Sequence, residues 1–537
     1  MTNPTPTRAA PAQLLHEDPV IHQRRWFLLG IMCLSLVMVV MSVAGLNVAL
    51  PKMQQSLDAS ASDLQWIIDS YALVFAALLL FAGALGDRFG RKRALLLGLV
   101  IFGLGSLVSG VAGGATQIIV GRVITGLGAA FVMPATLSLI STIFPPHERA
   151  KAIAVWAGFA GGGAALGPIV SGALLNHFWW GSALLINLPV ITLTLVMVAV
   201  FSPTSKDPHA TPLDPLGAVL SLVGLASLVY GIIEGPEKGW TSPTVLVAFA
   251  LAAVGLAAFF VWERRSTHPM LPLDLFRDRR MSVGSAVITA AFFVMFGLFF
   301  LFTLYLQFVR AYSPLSAGLA TLPLALTLVA VAPRSAAVAE KVGTGPVMAT
   351  GFLLTAAGFG VYSFIGPQTP YLVLAVALVL LGAGISLTAA PATASIMSAV
   401  PHHKAGVGSA VNDTTREVGG ALGIAILGSI SSALYRSAVD LKGIELPPGA
   451  AKAAKESIGG ATAIAAQVPA VGAQLAAKAG SAFTDALNLT SMVAVGVCLV
   501  AAGVVAVVFS HRSEQDAAAA FAAANAAEPA PLVAVAE

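Results

Sequence analysis

The sequence predicts an all-α polytopic membrane protein of fourteen transmembrane helices, arranged as two six-helix bundles with two extra helices between them. Three observations carry this prediction. The 537 residues are 57% hydrophobic and only 10% charged, whereas ordinary soluble domains are about 25% charged. Apolar runs recur along the chain, each long enough for the roughly 20 helical residues that cross a bilayer. Polar stretches after the sixth and eighth runs divide the chain.

The runs lie near residues 26–50, 64–85, 94–114, 117–142, 150–175, 181–202, 214–233, 242–262, 281–307, 315–339, 346–365, 369–399, 405–433 and 486–509. Residues 1–25 read as a polar tail. The first run is too long for a signal-peptide core and lacks a small-residue cleavage site, so it is expected to remain as the first helix. Runs one to six form an N-terminal bundle, 26–202. The segment 203–280 opens with SPTSKDPHATPLDP, holds the two extra helices joined by EGPEKGWTSP, and closes with WERRSTHPMLPLDLFRDRR. Runs nine to fourteen form a C-terminal bundle, 281–509, interrupted by a long Ala-rich loop, 434–485, with an LPPG break and room for two short helices. Residues 510–537 are an Ala-rich tail. An even number of crossings puts both termini on one side. Lys and Arg gather in the short loops of that side, which the positive-inside rule makes cytoplasmic. The expected location is a bacterial cytoplasmic membrane, the Ala-rich bias suggesting a high-GC bacterium.

Composition also excludes function classes. The net charge of +4 sits in short blocks between apolar runs and forms no basic stripe, so nucleic acid is not an expected partner. Cys33 and Cys498 lie inside apolar runs as small hydrophobes, and no ligand spacing points to a metal or a cofactor. A GxxxxGK[ST] phosphate loop is absent, which argues against direct ATP drive. No loop clusters acids, His or Ser at catalytic spacing, and His402 and His403 stand in a short basic loop, so an enzyme is not expected. Without a soluble signalling domain, a membrane sensor is also disfavoured.

Three stretches break the apolar pattern. Between runs two and three, GALGDRFGRKRALL spans residues 83–96, placing Gly83, Gly86 and Gly90 around Asp87, Arg88, Arg91, Lys92 and Arg93. As bare chemistry this is a tight turn with a basic anchor. Run four carries Arg122 in VGRVITGLGAA. Run five carries AGFAGGGAALGPIVSG, residues 157–172, where Gly158 and Gly162, then Gly163 and Gly167, stand four apart. Glycines so spaced let helices approach closely, and Pro168, ahead of Gly172, adds a kink.

These stretches resemble signatures of the major facilitator superfamily. The first is similar to its helix 2–3 loop, and the resemblance implies an inner gate formed by Gly83, Gly86, Asp87, Arg88, Gly90, Arg91 and Arg93. The second resembles its helix 4 signature and implies that Arg122 takes part in proton transfer. The third resembles its antiporter signature, through Gly158, Gly162, Gly163, Gly167, Pro168 and Gly172, and implies export. LNVALP at 46–51, WWGSALLINLP at 179–189 and VGSAVNDTTREVGGALGIAILGS at 407–429 resemble the fourteen-helix drug:proton antiporter branch. Asp69, Glu417 and the long loop look like its quaternary-ammonium-compound exporters. One position departs from that pattern. The branch carries an acid in helix 1, in LDxTxVNVALP, where this chain has Ser42 in MSVAGLNVALP. The substitution implies a reduced capacity for dications or a different coupling ratio.

Five ionisable residues stand well inside the runs: Asp69, Arg122, Asp413, Arg416 and Glu417. A charge at bilayer depth costs about 2.5–3.5 kcal/mol, so each calls for a partner or a wet cavity. At about 1.5 Å per residue, Asp69 and Arg122 each lie roughly 8 Å inside the outer face. Asp69 is therefore either the partner of Arg122, directly or through water, or itself a proton or cation site. Asp413 and Glu417 lie about 12 Å and about 18 Å from the cytoplasmic face. They share a helix face with Arg416 nearby, and Asp413 with Arg416 is a possible structural pair. Three acids against two bases leave one acid in excess, and a carboxylate in a low-dielectric cavity is neutralised by a proton or by a bound cation. Trp66, Tyr71, Phe75 and Trp156 offer aromatic surface for planar cations, with plain packing as the alternative. The expected activity is proton-coupled export of amphipathic, cationic small molecules by a monomer in the lipid bilayer. The alternative is a dedicated exporter of one endogenous metabolite, antibiotic or lipid.

Overall fold

The computed structural model describes residues 15–57, 61–205, 214–267, 269, 271–401, 404–444, 446 and 449–508. The expectations placed on the two tails, for residues 1–14 and 509–537, and on His402 and His403 lie outside the described residues.

Among the described residues, fourteen helices are long and apolar enough to cross a membrane. In chain order they are α1 (Pro19–Leu57), α2 (Ala61–Phe89), α3 (Arg91–Gly110), α4 (Ala115–Ile143), α5 (Pro146–Leu175), α6 (Ser182–Phe201), α7 (Pro215–Lys238) and α8 (Pro243–Arg265). The series continues with α9 (Arg279–Leu304), α10 (Leu322–Val342), α11 (Thr344–Tyr362), α12 (Tyr371–Ser398), α13 (Ala405–Ala438) and α14 (Pro469–Val508). No strand occurs among the described residues. The end at which α1 begins and α14 stops is the terminal end, and the opposite end is the far end.

Local chemistry sets several of the breaks. Gly90 separates α2 from α3 at φ 107°, a left-handed backbone that glycine adopts without a Cβ penalty. Asp214 caps α7 by accepting from the Gly217 N–H, and Asp278 caps α9 by accepting from the Arg280 N–H. α14 begins at Pro469, well inside the stretch read as loop, and α13 runs on to Ala438. Hydropathy registers only the apolar part of a helix, whereas Ala-rich sequence such as that before residue 486 continues as helix through intrinsic propensity. The rest of that stretch includes two short helices, Ala450–Glu456 and Ile458–Gln467, the second of which packs on α14.

The two halves pack alike. α1 lies on α5 and α3 on α4 in the first, as α9 lies on α13 and α11 on α12 in the second. The halves meet where α5 crosses α10 and α12, and where α2 and α4 cross α13. The extra pair is placed by α7, which packs on both α2 and α13 beside that second seam, with α8 against α7. Large apolar side chains such as Val200, Val254, Val500 and Val507 are exposed, as a lipid-facing perimeter demands.

Candidate functional site

At the terminal end, α2 finishes against the start of α13. The Asp87 carboxylate, buried, accepts from the Gly406 N–H at 2.9 Å and the Val407 N–H at 3.2 Å. These are among the first N–H groups of α13, which have no acceptor within their own helix and carry its positive dipole end. Arg91, one turn further on, closes the site from the other side, with Nη2 2.8 Å from Asp87 Oδ1. Its Nη1 donates to Ser205 Oγ at 2.8 Å. The backbones are equally close, since a Cβ on Gly83 would lie 2.6 Å from the Gly406 carbonyl oxygen. Gly83, Asp87, Gly90 and Arg91 of the predicted gate therefore sit on or next to the contact between the halves. Arg93 is exposed, and Arg88 lies over the neighbouring Phe89 ring.

Further along α2, the residues singled out in the sequence divide. Tyr71 and Phe75 are buried and stacked, with ring centroids 5.6 Å apart. Arg122 of α4 is fully buried, its guanidinium carbon 4.3 Å from the Tyr71 ring centroid and its Nε donating to the Ile67 carbonyl at 3.0 Å. This approach depends on Gly126, where a Cβ would lie 2.7 Å from the Tyr71 carbonyl oxygen. Both Nη atoms of Arg122 lack a hydrogen-bond partner among the described residues, so the direct pairing with Asp69 is not made. The guanidinium is turned under the aromatic ring instead, where a π-face offers electrostatic attraction without an ion pair. Asp69 is half-buried on the same helix.

In the middle of α13 the charges are clustered but incompletely answered. Asp413 Oδ1 lies 3.8 Å from Arg416 Nη1 and accepts from Asn412 Nδ2 at 3.2 Å, while Asp413 Oδ2 has no hydrogen-bond partner among the described residues. Asn412 is itself held by Thr393 of α12. The Arg416 guanidinium stands 4.6 Å from the Phe292 ring of α9 and 5.7 Å from the Trp156 ring of α5, one ring from each half. Trp156, fully buried, donates from its indole N–H to Thr136. Glu417 is half-buried, and no hydrogen bond or ion pair joins it to a described residue. α2 and α13 pack on each other at the seam, so the Tyr71–Arg122 pair and the charges of α13 lie on adjoining helices.

The remaining predicted residues have structural surroundings. Ser42 is buried and accepts from Asn187 Nδ2 of α6 at 3.3 Å. Trp66 is half-buried with its ring 6.2 Å from Tyr230 of α7. The four-spaced glycines of α5 face different neighbours. Gly158 and Gly162 approach Leu328 and Val329 of α10, in the other half, whereas Gly163 and Gly167 approach Val37 and Gly45 of α1, in the same half. Pro168 and Gly172 meet Gly318 and Leu315, just before α10. Sequence reasoning missed Gly126, Ser205, Phe292, Asn412 and Gly406 as members of these contacts. Asn412 and Gly126 stand inside the quoted motifs, but nothing local marks the others.

The Major Facilitator Superfamily profile matches residues 32–424. The multidrug efflux pump LfrA of Mycolicibacterium smegmatis is 36% identical over 488 residues, covering 90% of this chain and 96% of that protein. The tetracenomycin C resistance and export protein of Streptomyces glaucescens is 33% identical, covering 95% of this chain and 96% of that one. The methyl viologen resistance protein SmvA of Salmonella typhimurium is 33% identical over 78% of this chain and 85% of that one. Among solved structures, the human organic anion transporter MFSD10 (TETRAN) superposes with a TM-score of 0.57 at 15% identity, over 88% of this chain and 98% of that one, a likeness of fold alone.

Proposed function

The chain belongs to the major facilitator superfamily, and from that premise we propose that it exports amphipathic organic cations in exchange for protons. The observation that carries this reading is the partly unanswered charge set on α13: Glu417 and Asp413 Oδ2 without hydrogen-bond partners among the described residues, beside an Arg416 that lies by a ring from each half. A carboxylate so placed is neutralised either by a proton or by a substrate cation. The two therefore compete. Protonation from the far side expels the cation, the halves rock about α2, α5, α10 and α13, and release of the proton at the cytoplasmic, terminal side readies the acid for the next substrate. Asp69 serves as a second proton or cation site on the far side of Tyr71. The Asp87 contact with α13 acts as the inner gate, and the two glycine faces of α5 let that helix slide against α10 while staying seated on α1. The protein works as a monomer in the bacterial cytoplasmic membrane. Relatives named for multidrug efflux and for antibiotic resistance and export support the direction of transport.

A dedicated exporter of one compound is the second reading, favoured by Ser42 in place of an acid on α1 and by its engagement with Asn187. Ethidium movement into inverted vesicles separates the two. Uptake driven by an imposed pH gradient, and lost in Asp69→Asn or Glu417→Gln, is the expected result. Folded, inserted protein that ignores the gradient would overturn the multidrug reading in favour of the dedicated one.

A further inference from the structure

The far end of α7 carries Tyr230, Glu234 and Lys238, spaced four apart and so on one helix face. Glu234 is only 3% exposed, a condition carboxylates seldom reach without a partner. The partner is Lys238, whose Nζ lies 2.9 Å from Glu234 Oε2, although the lysine side chain itself is 45% exposed. The same ammonium stands 5.9 Å from the Tyr230 ring centroid, and that ring faces Trp66 of α2 at 6.2 Å and 33°. The Glu234 carboxylate beside it holds the Lys238 ammonium above the ordinary lysine value, so it remains charged at neutral pH. The C-terminal end of α7 adds its own negative potential. An exposed Glu–Lys pair on a helix surface needs no explanation. A buried acid one turn from Tyr230, whose ring faces Trp66, and covered by a solvent-exposed, rotamer-rich lysine that also lies over Tyr230, is a cation niche with a tethered occupant.

We propose that Glu234, Tyr230 and Trp66 form a peripheral binding site for an organic cation at the seam between α2 and α7, with the Lys238 ammonium as its displaceable resident. A quaternary ammonium or phosphonium supplies the same positive charge, and its apolar groups cover the two rings better than a lysine tip does. Trp66 precedes Asp69 by one turn of α2 on the far side, so the niche lies one turn from that acid. The two extra helices then contribute a ligand site as well as packing. The niche requires no proton coupling and stands apart from the antiport reading.

Equilibrium binding of tetraphenylphosphonium to the full chain in lipid nanodiscs tests this. Lys238→Ala vacates the niche and is expected to tighten binding by about fivefold, the scale of one cation–π contact. Adding Glu234→Gln to that variant returns the affinity to the native value, and Lys238→Arg leaves it there. The gain persists in a Glu417→Gln background, which disables the central acid. An affinity unchanged by Lys238→Ala, or a gain that Glu234→Gln does not reverse, overturns the proposal. Lower thermal stability of Lys238→Ala with no gain in binding identifies a structural pair and overturns it equally. Loss of ethidium antiport with the Lys238→Ala gain intact would defeat the proposed function and leave this site standing.

Discussion

The first turn of α13 and its middle differ in how their polar groups are answered. At the start, the Gly406 and Val407 N–H groups, the Asp87 carboxylate, Arg91 and Ser205 satisfy one another in a closed set. Two to three turns later, Asp413 Oδ2 and Glu417 have no hydrogen-bond partner among the described residues, and Arg416 is held by rings and one long ion pair. A satisfied buried network resists separation, because opening it strands charges in a dry place. An unsatisfied one is changed by whatever arrives to satisfy it. The contrast teaches that one helix carries both a closed polar contact between the halves and, in the proposed reading, a site left open to a proton or ligand.

The largest effect is expected from the closed contact. Asp87→Ala strands the buried Arg91 and removes the acceptor at the start of α13; deleting one partner of a buried pair costs about 3–5 kcal/mol. Transport should vanish and the melting midpoint should fall, and an unchanged melting midpoint would break the comparison. Gly83→Ala is expected to be milder. Its Cβ meets the Gly406 carbonyl at 2.6 Å, an overpacking penalty of about 1–3 kcal/mol that parting the halves relieves. Thiol labelling of Ala410→Cys from the terminal side should accelerate in that background, since Ala410 is buried at the same contact. The smallest effect is assigned to Trp156→Phe, which keeps a ring beside Arg416 and removes only the hydrogen bond to Thr136, about 0.5–1.5 kcal/mol. If it abolished transport as thoroughly as Glu417→Gln, the ring would not be what Arg416 uses.

Legibility followed the range of each interaction. The fourteen spans were readable because hydropathy sums over some twenty neighbouring residues. The spacing of the α5 glycines marked close helix approach, yet the two pairs face α10 and α1 separately, because a step of five residues turns about 140° around a helix. Arg122 was legible as a buried charge needing compensation, whereas Tyr71 in place of Asp69 under its guanidinium depended on the closeness that Gly126 permits. Ser42 was legible as a missing acid, but its engagement with Asn187 was not.

By itself, the sequence determined the membrane class, the number of crossings, the superfamily motifs and the positions of the intramembrane charges. All are properties of single segments, set by composition and short-range spacing. Tertiary structure alone decided the partners: Asp87 with Gly406, 319 residues away, Trp156 and Phe292 on either side of Arg416, and α7 in the seam beside Trp66. Which helices meet, and in what rotation, depends on packing between segments distant in the chain, and no local pattern encodes it.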